Sequence, residues 1–172
     1  MSKSPETVSA FIGLGSNLGE PPAQLRRAAR GLEALGNVVG RSSLYKTDPV
    51  GGPAGQEAYL NAVVALDPHP AYKKPHALLA ELLALEQRQG RERRERWGPR
   101  TLDLDLLLMG ERVVDTKTLT LPHPRMMTRA FVLVPLCEVL QELNLELRHP
   151  RTGQVLCGAF ERSGVNKTGL EW

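Results

Sequence analysis

The chain has 172 residues, 41% hydrophobic and 24% charged, which is enough for one domain with a buried core and ordinary for a globular protein. A net charge of +3 suits an anionic ligand without requiring nucleic acid, and no apolar run approaches a membrane span. Two cysteines are too few for a disulfide framework or a zinc cluster, so a reducing cytoplasm is the default reading.

Met1 to Glu6 is polar, lacks an apolar signal core and is expected to be flexible. Thr7 to Gly15 reads as a buried first strand. It runs into Gly-Leu-Gly-Ser-Asn-Leu-Gly, Gly13 to Gly19. The third glycine falls one position late for a dinucleotide fingerprint, and no Gly-Lys-Ser/Thr follows, so a tight strand-to-helix turn is the reading. Pro21-Pro22 opens a helix whose stripe is Leu25, Ala28, Ala29, Leu32 and Leu35, with Gly36 as its stop.

Val38 to Thr47 reads as a second strand. It enters a loop dense in glycine and proline, Asp48 to Gly55, of the kind that can lay bare backbone against a flat ligand. Tyr59 to Leu66 is a third strand. Leu60, Ala62, Val64 and Leu66 share one face, and Tyr59, Asn61, Val63 and Ala65 the other. Asn61 in a buried strand needs partners, with local backbone or a ligand amide edge as the alternatives. Pro75 starts a second helix carrying Leu78, Leu79, Leu82, Leu85 and Glu86, ended by Gly90.

Leu102, Leu104, Leu106 and Leu108 alternate with Asp103 and Asp105, which predicts a strand with both carboxylates on one face and the leucines on the other. Two neighbouring carboxylates repel each other and are best kept ionised by a shared cation; carboxylate oxygens beside water and phosphate suit Mg²⁺. Arg88, Arg91, Arg93, Arg94, Arg96 and Arg100 crowd the segment just upstream, so a bound polyphosphate is the chemical reading. A solvated edge strand beside a solvated basic loop is the alternative. Gly110-Glu111 is expected to turn a hairpin into Val113-Val114. Arg125 to Leu140 is expected to be helical in part and interrupted at Pro135, and little chemistry is expected beyond it. His123, between two prolines, stands above the other histidines as a site candidate.

The order strand, helix, strand, strand, helix, strand predicts an α+β fold: a ferredoxin-like βαββαβ core, with a mainly antiparallel sheet, helices packed on it and C-terminal additions. A single catalytic domain over residues 1–172 is expected, with its core in 7–140 and an extension in 141–172. Transfer of a phosphate-containing group needs positioning and charge stabilisation more than a strong nucleophile, which fits a chain without an evident Ser-His-Asp or Cys-His set.

Arg-Trp-Gly-Pro-Arg-Thr-Leu-Asp-Leu-Asp, Arg96 to Asp105, resembles the signature of the 6-hydroxymethyl-7,8-dihydropterin pyrophosphokinase family of folate biosynthesis. Gly-Ser-Asn-Leu at Gly15 to Leu18, Tyr-Leu-Asn-Ala-Val at Tyr59 to Val63, and Leu-Pro-His-Pro-Arg-Met at Leu121 to Met126 resemble its other segments, in the same order. The resemblance implies Mg²⁺-dependent transfer of pyrophosphate from ATP to the hydroxymethyl oxygen of a dihydropterin, with AMP released. It implies two Mg²⁺ ions held by Asp103 and Asp105, catalytic roles for Arg91, Arg100 and both aspartates, and ATP contacts from Glu86, Trp97, Arg100, Thr120, His123 and Arg129. For the pterin it implies Thr47, Asp48, Val50, Tyr59, Asn61, Asp103 and Phe131. The chain departs from some members at Pro124, Thr118 and Leu83, and its arginine loop is one residue shorter. A cytoplasmic monomer acting on ATP and the pterin, with no nucleic acid and no membrane, is expected. A nucleic-acid-binding ferredoxin-like module is the second reading; aromatic content of only 5% speaks against it.

Overall fold

The computed structural model describes residues 10–49, 51–90 and 99–172. Its elements in chain order are β1 (Ala10–Ser16), α1 (Pro21–Glu33), β2 (Gly36–Arg41), β3 (Tyr45–Thr47), β4 (Tyr59–Pro68), α2 (Pro75–Arg88), β5 (Asp103–Met109), β6 (Val114–Asp115), β7 (Thr120–Leu121), α3 (Ala130–Glu142) and β8 (Val165–Lys167). The main sheet runs β5-β1-β4-β3-β8, with β2 also on β4, and every pairing is antiparallel. This is the strand order of a ferredoxin-like core, with its second strand split into β2 and β3 and an extra edge strand in β8.

The split corrects the reading of 38–47 as one strand. The chain breaks at Ser42, whose Oγ accepts from Val63 N–H (2.9 Å), while Ser42 N–H donates to Val63 C=O (2.9 Å). Gly36 is also reassigned. It opens β2, where an added Cβ would run into the Asp67 carbonyl, and α1 ends earlier, at Glu33.

Alternation sorts the side chains into two cores. Leu60, Ala62, Val64 and Leu66 of β4 face α1 and α2, packing with Leu25, Leu32, Leu78 and Leu82. Val63 and Ala65 face α3, packing with Leu133, Leu136, Val139 and Leu140. Each large apolar side chain fully buried this way contributes roughly 1.5–3 kcal/mol. Helix α3 continues through Pro135, which corrects the expected interruption there. Proline there removes one backbone bond and costs about 3 kcal/mol, but the buried face on both sides of it holds the helix together.

Three further differences have local causes. The register of β5 on β1 slips between Phe11 and Ile12, so that Leu107 is an extra residue. Leu104 and Leu106 stay on the α1/α2 side, but Leu107 and Leu108 join the α3 core; strict alternation would have kept Leu108 with its neighbours. Val114-Asp115 pairs with Thr120-Leu121 in a separate ribbon, so Gly110-Glu111 does not fold β6 back onto β5. Cys137 and Cys157 form a disulfide with Cα atoms 5.6 Å apart, a pairing that the default of a reducing cytoplasm did not anticipate. It ties the C-terminal segment to α3, and that segment then adds β8 to the sheet. Trp172 Nε1 donates to Ser42 C=O at 2.7 Å. No helix among the described residues is long and apolar enough to cross a membrane.

Candidate active site

On the α3 side of the sheet, the register lines up two rows of residues. Asp103, Gly15 and Asn61 face each other across β5, β1 and β4, and Asp105, Gly13 and Val63 form the next row. Directly opposed residues in antiparallel strands share a face, so both aspartates and Asn61 point to the same side, as the alternation predicted. Between them β1 presents only glycines. An added Cβ at Gly15 would stand 3.1 Å from Asn61 Oδ1. The result at Gly15 is a bare strip of backbone with Asp103 at one end and Asn61 at the other, whereas over Gly13 the Leu107 side chain lies 3.6 Å from where a Cβ would stand. Neighbouring strands lie about 4.8 Å apart, so the strip is roughly 10 Å wide. Its sequence signal is glycine at positions i and i+2 of a strand, which a turn of the chain also uses.

Asn61 is buried, and its Nδ2 donates to Thr47 Oγ1 at 2.6 Å. The partner is therefore a side chain of the adjacent strand rather than local backbone. Thr47 is buried and opposes Tyr59 across β3 and β4, on the same face. Asp48 is exposed at the mouth of the glycine-proline loop. Thus Thr47, Tyr59 and Asn61 gather at the amide end.

At the other end, Arg100 Nη1 donates to Asp103 Oδ2 at 2.8 Å. Burial, with the neighbouring Asp103 charge adding to it, pushes the Asp105 carboxyl up to about 7, against the pull of Arg129 and Arg100. Among the described residues no third His, Cys, Asp or Glu joins the pair to make a closed metal cluster. Two adjacent carboxylates, with Asp105 resisting ionisation and coordination left for phosphate and water, fit Mg²⁺.

Glu86 is buried at the free edge of β5, and its Oε1 accepts from Leu104 N–H at 2.7 Å, between the two aspartates in sequence. It fixes the strand that carries them, and its charge adds to the raised Asp105.

His123 N–H donates to the carbonyl of the bulge residue Leu107 at 2.8 Å, which docks the Pro-His-Pro turn beside the aspartate strand. Its Nδ1 accepts from Arg125 N–H at 3.2 Å. A ring that accepts at Nδ1 carries its proton at Nε2. Burial, then the Arg129 charge, lower its pKa to about 4, so the ring is a neutral donor at pH 7. Arg129 lies 5.4 Å from the centre of the Phe131 ring, and burial lowers its own pKa. The charges of Asp105 and Asp103 act against that lowering. Thr120 sits in β7, opposite Asp115. Arg91, Trp97 and Val50 lie outside the described residues, as do Arg93, Arg94 and Arg96.

Comparison with known proteins agrees with this architecture. A family profile described as 7,8-dihydro-6-hydroxymethylpterin-pyrophosphokinase matches residues 11–141. The chain is 47% identical over 137 residues to the 2-amino-4-hydroxy-6-hydroxymethyldihydropteridine pyrophosphokinase of Pseudomonas aeruginosa, covering 78% of this chain and 82% of that protein. It is 42% identical over 161 residues to the protein of the same description from Bacillus subtilis, covering 92% and 94%. A crystal structure of Plasmodium falciparum HPPK-DHPS superposes with a TM-score of 0.65 at 12% identity, covering 90% of this chain and 43% of that one; this likeness concerns the fold. Family match and relatives together define a pyrophosphokinase, a transferase of folate biosynthesis. The chain belongs to the 7,8-dihydro-6-hydroxymethylpterin-pyrophosphokinase family.

Proposed function

We propose that the chain transfers the terminal pyrophosphoryl group of ATP to 6-hydroxymethyl-7,8-dihydropterin across the strip between Asn61 and Asp103. The hydroxymethyl oxygen attacks the β-phosphorus and loses its proton. The bond from that phosphorus to the oxygen bridging the α-phosphate breaks, and AMP leaves with that oxygen.

The carrying observation is the row Asp103–Gly15–Asn61. A flat bicyclic ring read at its amide edge by Asn61 can lie over Gly15 with no side chain beneath it, and its one-carbon arm then reaches Asp103 before Asp105. Thr47, Asp48, Val50 and Tyr59 line the ring's pocket in this reading, and Phe131 stacks on it. Asp103 orients the acceptor hydroxyl.

On the ATP side, Arg91, Arg100 and Arg129 neutralise phosphate charge. Neutral His123 donates from Nε2 to a phosphate oxygen, and Glu86, Trp97 and Thr120 frame the nucleotide. Asp103 and Asp105 would hold two Mg²⁺ ions, which supply charge neutralisation to the triphosphate and to the carboxylate pair. The protein acts as a monomer in the cytoplasm.

The test is the product. With Mg²⁺, ATP and the hydroxymethyl dihydropterin, the enzyme yields AMP; ADP instead would mean attack at the γ-phosphorus and would overturn the reading. The expected loss of turnover in Asp103→Ala, with the fold retained, checks the carboxylate end separately.

A further inference from the structure

The turn after β1 holds a buried polar side chain, Asn17. Asn17 is only 3% exposed. Its backbone N–H donates to Arg100 C=O at 3.1 Å, and its Oδ1 accepts from Arg100 N–H at 2.9 Å. The main chain of Arg100 is thus gripped on both its polar groups by one residue, as in a rung of a sheet, although Arg100 lies outside any strand. Asn17 Nδ2 then donates to Glu57 C=O at 2.9 Å, where the glycine-proline loop returns towards β4.

Arg100 carries the guanidinium that meets Asp103, at the donor end of the strip. Glu57 stands just before Tyr59 and Asn61, at the acceptor end. The partners of Asn17 are 83 and 40 residues away in the chain, so these bonds fix tertiary placement rather than local turn geometry. The side chain is used at both ends: the amide oxygen serves the arginine segment and the amide nitrogen serves the loop.

We infer that Asn17 is a positioning residue that sets the separation of the two substrate sites, one arm on the ATP-side arginine and the other on the loop that borders the acceptor. It touches neither substrate. A bond lost on one arm therefore shifts one Michaelis constant and leaves the other. This inference rests on the reading of the site as a pyrophosphoryl transfer site.

The two arms separate by substitution. Asn17→Asp keeps the shape, the backbone bond and the acceptor for Arg100 N–H, but it loses the donor to Glu57 and faces that carbonyl with a carboxylate oxygen. Asn17→Ala loses both arms. Steady-state AMP formation is measured for each variant with ATP and the acceptor varied in turn, alongside the thermal midpoint. Wild-type enzyme under the same assay is the control: no AMP from it sinks the reading of the site, not the role of Asn17. Given an active wild type, Asn17→Asp is expected to raise KM for the acceptor about tenfold with KM for ATP within about twofold. Asn17→Ala is expected to raise both and to lower kcat. The inference is overturned if Asn17→Asp raises both constants by the same factor, or leaves the acceptor constant unchanged. It is equally overturned if either variant only lowers the thermal midpoint and the amount of active enzyme at unaltered KM, the behaviour of a residue that merely holds the fold.

Discussion

Raising the pH of the metal-free protein should weaken it through one carboxyl. Asp105 is carried from its ordinary 3.8 to about 7, first by burial and then by the Asp103 charge. A carboxyl whose folded pKa lies above its unfolded value contributes stability that is whole below the unfolded pKa and is lost as pH rises through the folded one. The full change, from pH 3 to pH 9, is on the order of 4 kcal/mol. Between pH 5 and pH 8.5 the remaining part is about 2–3 kcal/mol, because the unfolded chain is already ionised at pH 5. For a chain of this size that corresponds to a fall of roughly 5–10 °C in the thermal midpoint. The assay is calorimetry of chelator-treated wild type and Asp105→Asn at both pH values. The difference between the two proteins isolates this carboxyl from every other titrating group. Asn at 105 should remove most of the fall, and millimolar Mg²⁺ should restore wild type at pH 8.5 while doing little for the variant. Parallel pH dependence in the two proteins, or Mg²⁺ without effect on wild type at pH 8.5, would refute the reasoning from an ionisation-resistant, cation-seeking Asp105.

Three other outcomes are expected. Asp103→Ala and Asp105→Ala should each lower kcat by at least about 10³-fold with the circular dichroism of the folded protein retained; near wild-type turnover in both would contradict the carboxylate assignment. Gly15→Ala places a methyl 3.1 Å from Asn61 Oδ1 on the strip itself, and KM for the acceptor should rise about tenfold with little loss of stability; an unchanged KM would mean that no ring lies over β1. Glu138 accepts from Ser43 N–H, Ser43 Oγ, Tyr45 OH and Lys167 Nζ, so that burial, which alone would raise its pKa, is outweighed and the pKa is lowered. A depressed pKa gives stability above the unfolded value that is lost as pH falls through the folded one. Glu138→Gln should therefore cost about 2–4 kcal/mol at pH 7 and flatten the acid limb of a urea-denaturation series, whereas an acid limb as steep as wild type would show that these bonds do not depend on the charge.

The face carrying Asp103, Asp105 and Asn61 was legible because a strand's period of two is set by covalent geometry and needs no tertiary context. The helices α1 and α2 were legible for the same kind of reason, their apolar stripes being wide and their starts marked by proline. What stayed hidden depended on partners distant in sequence. The bulge at Leu107, which turns Leu108 to the other core, exists only as a mismatch between β5 and β1. β8 is three residues of Val-Asn-Lys with no apolar pattern, and it becomes a strand because β3 offers an edge. Cys137 and Cys157 pair because α3 and the C-terminal segment pack together, which two cysteines 20 residues apart do not announce. The flat strip was misread rather than hidden. Gly15 reads as a turn residue in sequence, and its role emerges only when Asn61 and Asp103 are seen opposite each other.

The most direct measurement is quantitation of the nucleotide product by anion-exchange chromatography, with the enzyme, Mg²⁺, ATP and 6-hydroxymethyl-7,8-dihydropterin. Attack at the β-phosphorus predicts AMP in equal amount to the pyrophosphorylated pterin, and no ADP. ADP as the product, or AMP formed equally well without the pterin, would contradict the account.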